Sequence, residues 1–514
     1  MTDYRSKVPL HRYPDTLAEQ DAALASHPMM ERLARSRTFL AENRHRPVYH
    51  YVNPEGTLND PNGLCRWQGR WHLFYQAYPP EDPRQHWGHA VSEDLIHWRD
   101  LPYCIYPDPE RCCFSGATLV EDDRVIAMYH GTEAGNMVAV SSDPLLLNWS
   151  KVGDAPVIPM AGPDDPPLPY RVFDPCIWKH GENYYSLSAG QVPEGPGGMP
   201  VAADFLFRSD DLQHWEYLHP FTEDDRFTRV GDDGACPYFW PIGDKHVLLF
   251  FSHMSGGQYL LGDYDTNRQR LVVTGAGKFN MGPVKPCGVH APSATPDGRD
   301  VVVIFNMNPG KPSAGWNQIM SLPRRLSLGD GDELLQEPVE AVASCRQSRL
   351  GGRPQSLPAN REVVLDDLSG DALEIRAVIA PSAASMVELN VLRSPNREEV
   401  TRIAFYRDRG YRDTVLRRHH IASLVTLDTS YSSSASDVSS RAPETAPVRL
   451  GTEEPLELRV FVDKSIVEAF VNGKQCVAAR VYPDRADSTG ISFRSQGRAS
   501  EITELDVWEM GSIY

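Results

Sequence analysis

The stretch SEDLIHW, residues 92–98, returns as SDDLQHW at residues 209–215. The two copies agree at Ser, Asp, Leu, His and Trp, which coincidence in a Trp-containing chain does not explain. A degenerate copy runs from Ser142-Asp143 to Trp149. The template S-x-D-L-x-H-W fits the end of a strand, a turn at S-x-D-L, and a Trp that opens the next strand. Around the copies lie short runs bounded by Gly, Pro, Asp or Asn: RWHLFYQAY, RVIAMYHG, KHVLLFFSHM, YLLGDYD and DVVVIFNM. Repeats about 50 to 65 residues apart, each with several strands, point to the blades of a β-propeller.

The chain has 514 residues, too many for one ordinary core, so two large domains are expected. Its 42 Pro and 38 Gly suit many short strands joined by turns. The net charge of −18 disfavours nucleic acid and anionic membranes as partners, because phosphate binding needs clustered Lys and Arg. The start, MTDYRSKVPLHRYPD, has no apolar secretory segment, and no apolar run is long enough to span a membrane. The nine Cys are scattered, with Cys112-Cys113 adjacent and no paired CxxC metal spacing. These features predict a cytoplasmic protein with reduced thiols and no metal.

Residues 1–46 read as a helical extension, on the strength of MMERLARSRTFLAENRHR. The propeller is expected over 47–343, followed by a Gly/Pro/Ser-rich linker over 344–360, SCRQSRLGGRPQSLPAN. Strand alternation resumes in LEIRAVI, MVELNVL, LELRVFVD and SIVEAFVNGKQCVAARVYP, so 361–514 is expected to be a β-sandwich. Asn472-Gly473 marks a hairpin within it, and the Ser-rich segment Asp428–Pro447 reads as a solvated loop.

A propeller gathers residues from its innermost strands into one central pocket. Three acidic segments stand at blade starts. Asp60 lies in LNDPNG, where Pro61 stiffens the turn and Asn59 and Asn62 can brace it. Asp174 lies in YRVFDPCIWKH, and Asp232-Asp233 in VGDDGACPYFWP. Two carboxylates across a sugar ring are the minimal apparatus of glycoside hydrolysis, one acting as nucleophile and one as proton donor. Trp87, Phe114, Trp240 and Trp316 are candidate stacking surfaces for a sugar. His253 and His290 are candidate pocket-lining residues. The chain has no GxSxG, P-loop or HExxH motif, so Ser-hydrolase, nucleotide and zinc-protease chemistry have no support.

LNDPNG followed by WHLFYQ, then WGHAVSEDLIHW and FSGAT, resembles glycoside hydrolase family 32, the invertase, inulinase and levanase family. HVLLFFSHM, YLLGDYD and LRVFVDKSIVEAFVNG extend the resemblance to the C-terminus. It implies an all-β fold, a five-bladed β-propeller with a C-terminal β-sandwich, and retaining hydrolysis of β-fructofuranosides without a cofactor. Asp60 then stands at the nucleophile position and Asp174 at that of the transition-state stabiliser. Asn59, Gln76, Trp87, Phe114 and Ser115 match positions that shape the fructose pocket.

Two departures stand out. The resemblance leads one to expect Arg-Asp-Pro and Glu-Cys-Pro, where this chain has Phe173-Asp174-Pro175 and Ala235-Cys236-Pro237. Arg171, two residues before Phe173, is the candidate replacement for the lost Arg. Strand parity points Asp233 to the same face as Ala235, making it the expected acid/base, with Asp232 the alternative if Gly234 forms a bulge. The expected activity is hydrolysis of short fructosides or a related furanoside. The alternatives are a fructosyltransferase or dianhydride-forming enzyme on the same scaffold, or an inactive sugar-binding protein.

Overall fold

A computed structural model describes residues 4–162, 165–381, 384, 386–413 and 420–514. Its five propeller sheets follow one another along the chain. Counted outward from the axis, their first strands are Leu58–Trp67, Cys113–Val120, Pro175–His180, Ala235–Ile242 and Val289–Asp297, and the fourth sheet also has an outer strand, Thr222–Glu223, earlier in the chain. Each of these first strands packs against the first strand of the next blade, and the fifth packs against the first, which closes the ring. Every sheet in the ring therefore presents its first strand to one central axis.

The repeated heptapeptide is the turn between the third and fourth strands of a blade. In the first blade Asp94 Oδ1 accepts the backbone N–H groups of Ile96 and His97 at 2.9 and 2.8 Å, and its Oδ2 lies 2.8 Å from His97 Nδ1. In the third, Asp211 holds Gln213, His214 and the His214 ring in the same way. Both turns put Leu in the left-handed region, Leu95 at φ 73° and Leu212 at φ 67°. A Leu there is strained, and burial of its side chain together with the Asp bonds offsets the cost. The second blade builds the turn with Ser141, whose hydroxyl reaches Asp143 at 3.0 Å. The Ser of the degenerate copy is thus Ser141 and not Ser142.

Two helices precede the ring, α1 (Leu17–Ala25) and α2 (Pro28–Leu40), where the sequence showed only the second. Gln20 of α1 clips onto the second blade's turn, donating to Asp143 Oδ1 at 2.7 Å. Arg37 of α2 pairs with Asp100 of the first blade at 2.8 and 2.6 Å. Residues 1–3 of the expected extension lie outside the described residues.

The sandwich has a seven-stranded and a six-stranded sheet around its own apolar core. Residues 344–360 form more than a linker: Arg346–Gly351 and Gln355–Leu357 pair with the last strand, Ser500–Met510. The Ser-rich segment also ends in structure, since Glu444–Val448 is a strand whose Glu444 accepts the Met281 N–H. Its Ser content signalled a loop, but pairing of Glu444–Val448 with Ser423–Leu427 overrides that propensity. The Asn472-Gly473 hairpin forms as expected, with φ of 52° and 62° at its two central residues.

No strand is exchanged between the first and last blades among the described residues. Their seam is clasped from outside the ring. Asp463 of the sandwich accepts the N–H groups of Val48, Tyr49 and His50. Glu468 accepts the Leu322 N–H at 2.7 Å, pairs with Arg324 at 2.7 Å and contacts His50 at 3.2 Å. The Tyr514 hydroxyl accepts the Val52 N–H at 3.0 Å.

Candidate active site

Four of the five innermost strands carry a register shift at their start: between Leu58 and Pro61, Cys113 and Gly116, Ala235 and Tyr238, and Val289 and Pro292. A β-bulge re-aims side chains that strict alternation would send to opposite faces. Each of these bulges delivers a residue to one cluster: Asp60, Ser115, Cys236 and His290. The third blade contributes Asp174, immediately before its first strand.

Asp60 is buried. Its Oδ2 accepts from Ser115 Oγ at 2.7 Å, Gln76 Nε2 at 3.3 Å and Cys236 Sγ at 3.7 Å. Its Oδ1 has no aligned donor. His290 Nδ1 stands 3.1 Å from Oδ1, but that nitrogen also receives Asn306 Nδ2 at 3.1 Å. Burial works against the Asp60 charge. A positive His290 and the Ser115 hydroxyl outweigh it and hold the carboxyl below its ordinary range. The Ser115 contribution rests on a full hydrogen bond, whereas that of His290 requires a protonated ring.

Asp174 meets the same sulfur: Cys236 donates to Asp174 Oδ2 from its backbone N–H at 3.1 Å and from Sγ at 3.4 Å. Burial and the neighbouring Asp60 charge push the Asp174 carboxyl up to about 7. The side chain nevertheless retains solvent access at the pocket floor. Two carboxylates on one thiol thus differ in charge state, one held ionised and one poised near neutrality.

An amide chain supports the nucleophile. Gln318 Nε2 donates to Asn59 Oδ1 at 3.0 Å, and Asn59 Nδ2 to Gln76 Oε1 at 3.2 Å. Gln76 Nε2 then serves Ser115 Oγ at 2.8 Å as well as Asp60. Asn306 is anchored by the Ala291 N–H and donates to Gln318 Oε1 at 2.6 Å. Neither Asn306 nor Gln318 was singled out from the sequence. The only sign was an Asn closing the apolar run VVVIFN.

Other expected residues fall elsewhere. Trp87 is 0% exposed, and its indole N–H donates to the Phe114 carbonyl at 2.9 Å, so it lies beneath the pocket as core. Trp240 is also core, donating to the Ala294 carbonyl. Trp316 is 2% exposed, packed between the guanidinium groups of Arg46 and Arg480. Phe114 does reach the rim, edge-on to His130, which in turn meets Phe173 at 5.9 Å. His130 was not anticipated. Arg171 leans on Gly190 with its stem and makes no ion pair with Asp174, so it does not take the place of the missing Arg. It lines a groove of about 340 Å³ with Met160, Leu168, Tyr170, Phe173 and Gln191, beginning beside Asp174. Phe173 is 48% exposed there.

The parity argument for Asp232 and Asp233 does not apply, because the strand begins only at Ala235 and Gly234 turns at φ 65°. Asp232 is fully buried and spent on structure. Its Oδ1 accepts from Ser252 and Ser255, both at 2.6 Å, and its Oδ2 from the Arg229 N–H. Burial raises its pKa, but these bonds prevail and keep the carboxyl below its ordinary range, the opposite of what a proton donor needs. Asp233 is half-buried and turned onto His253.

The ring thus brings two unlike carboxylates together at its centre, an arrangement of the kind that glycoside hydrolysis uses. The comparisons place it further. The family described as "Glycosyl hydrolases family 32 N-terminal domain" matches residues 50–338, and "Glycosyl hydrolases family 32 C terminal" matches residues 341–509. The chain belongs to glycosyl hydrolase family 32. A levanase of Bacillus subtilis (strain 168) is 27% identical over 517 aligned residues, covering 91% of this chain and 71% of that protein. A sucrose-6-phosphate hydrolase of Escherichia coli is 26% identical, covering 90% and 95%. Fructan 1-exohydrolase IIa from Cichorium intybus superposes with a TM-score of 0.79 at 22% identity, over 92% of this chain and 98% of that one. Among the described residues, no helix is long and apolar enough to cross a membrane.

Proposed function

We propose that this protein is a retaining glycosidase that releases fructose from short β-fructofuranosides, with Asp60 as nucleophile and Asp174 as the stabilising partner. One observation carries the reading: Asp60 Oδ2 is held by three donors while its twin Oδ1 is buried with a lone pair free of an aligned donor. A carboxylate anchored by one oxygen and open at the other is built to attack an electrophilic carbon. In the first step Oδ1 bonds to the anomeric carbon and the glycosidic C–O bond breaks. The leaving oxygen takes a proton from an enzyme acid. In the second step water attacks the same carbon and the Asp60 ester opens. Asp174, close to neutrality, is suited to hold sugar hydroxyls as charge develops on the ring.

The relatives named as hydrolases of levan, sucrose-6-phosphate and fructan support a fructoside substrate. The absence of a chain Arg beside Asp174 and the presence of Phe173 support a shift away from plain sucrose. The test is fructose release from sucrose, sucrose-6-phosphate, 1-kestose, inulin and p-nitrophenyl β-D-fructofuranoside, with Asp60→Asn beside the wild type. Release from at least one, lost by about 10³-fold or more in Asp60→Asn, is the expected result. Turnover surviving in Asp60→Asn, or no release from any of the sugars, overturns it.

A further inference from the structure

Ala235 stands where a Glu was expected to move the proton, and a methyl group has none to give. Ala235 faces Phe251 across the ladder of the fourth blade, and cross-strand partners project to the same side. The two side chains pack together with Ala291. The Phe251 ring meets His290 edge-on at 4.2 Å between centroids, and His253 edge-on at 5.2 Å. His290 is the residue beside Asp60 Oδ1. A wall of three rings thus runs from the nucleophile, past the Ala235 methyl, to His253.

His253 is the one exposed ring of the three, and it is fixed by two contacts to one carboxylate. Its Nδ1 lies 2.6 Å from Asp233 Oδ2, and its backbone N–H donates to Asp233 Oδ1 at 3.1 Å. The carboxylate sets the ring's tautomer and leaves Nε2 turned outward. Asp233 engages His253 with both oxygens, so it orients the ring.

We propose that His253, held by Asp233, protonates the departing oxygen and then accepts a proton from the attacking water, in place of the absent Glu. This rests on the reading of Asp60 as nucleophile. When Asp60 Oδ1 bonds to the anomeric carbon, the glycosidic electron pair leaves with its oxygen, which takes the proton from His253 Nε2. The neutral ring then draws a proton from water as that water's oxygen attacks the anomeric carbon, and the Asp60 carboxylate departs. Among the described residues, Asp233 from the loop before the fourth blade's inner strand, Asp174 from the third blade, Asp60 from the first and His290 from the fifth are the titratable groups around His253. The bond from Asp233 lifts His253 above its ordinary value against the effect of burial, and the charges of Asp174 and Asp60 add to it. This favours the protonated ring that the first step needs.

The experiment compares His253→Ala, His253→Gln, Asp233→Asn and Asp60→Asn with the wild type. Each is assayed across pH on the best natural sugar of the panel above and on p-nitrophenyl β-D-fructofuranoside, whose phenolate leaves without a proton. On the natural sugar, both His253 variants are expected to lose about 10²- to 10⁴-fold in kcat/KM. The alkaline limb of the profile, which in the wild type falls as pH rises through the raised His253 pKa, should vanish. The loss on the aryl probe should be far smaller. Asp233→Asn should keep the alkaline limb but move it to lower pH. Equal losses on both substrates, or an unchanged limb in His253→Ala, overturn the assignment. So does an Asp233→Asn variant that is dead on the natural sugar while the His253 variants remain active. If Asp60→Asn still turns over, the nucleophile reading itself has failed. The exposed His253 side chain, with Gln as a second replacement, keeps a folding defect from imitating the expected result.

Discussion

Removing the Ser115 hydroxyl tests how the nucleophile is held. Ser115 Oγ gives Asp60 its shortest bond, 2.7 Å, and both groups are buried. A hydrogen bond to a charged group contributes about 1.5–3 kcal/mol. That stabilisation belongs to the carboxylate and is largely lost when Asp60 becomes an ester. In Ser115→Ala the first step, which consumes the charge, is unimpeded, whereas the second step, which regenerates it, loses the stabilisation. Deglycosylation should therefore slow by roughly 10- to 150-fold. With p-nitrophenyl β-D-fructofuranoside, stopped-flow absorbance should show a burst of nitrophenol close to the enzyme concentration. Steady-state kcat and KM should fall together, leaving kcat/KM nearly unchanged. The acid limb of kcat/KM should move to higher pH, because a donor that held the Asp60 carboxyl below its ordinary range is gone. A fall in kcat/KM as large as the fall in kcat, with no burst, would refute this reasoning and show that the bond serves only to position Asp60.

Three further outcomes test the framework. Asp204 is buried beside Gly234 with an oxygen lacking any donor, and burial pushes its carboxyl up to about 7. A raised folded pKa means stability is full below the ordinary carboxylate range and is lost as pH rises toward about 7. Asp204→Asn should therefore melt with the wild type at pH 4 and above it at pH 8, by a few kcal/mol. Glu468→Ala leaves Arg324 charged and buried without its partner, so thermal denaturation should show a loss of about 3–5 kcal/mol that begins with release of the sandwich from the ring. A Cβ added at Gly116 would lie 2.2 Å from the Met128 carbonyl oxygen, so Gly116→Ala should sharply reduce soluble yield while Gly275→Ala, whose Cβ would meet nothing nearer than 3.9 Å, should cost about 1 kcal/mol or less.

The parts of this molecule legible in its sequence are those written locally. The S-x-D-L-x-H-W turns announced the blades because one Asp satisfies its own loop within three residues. LNDPNG announced Asp60 because the Pro and Asn brace it in place. What stayed hidden depends on contacts between distant segments. Asn306 and Gln318 join the site only through Asn59, far away in the chain, and through His290. Trp87 and Trp316 carried the chemistry of sugar stacking, yet ring closure and the sandwich interface buried them both. Parity misplaced Asp232 and Asp233 because it assumed an extended chain through Gly234. The same assumption concealed the bulges that bring Asn59 and Asp60 onto a single Gln76.

The clasped seam also bears on how the protein is made. The ribosome delivers Tyr49 and all five blades before Asp463, Glu468 and Tyr514. Until those residues emerge, the first and fifth blades are joined only by their own contacts, such as Gln318 to Asn59 and Leu64 to Ser293, without the outer clasp. A ring that closes before then is held by fewer bonds than the finished one. A truncation that removes Asp463 and everything after it would leave the ring in that state.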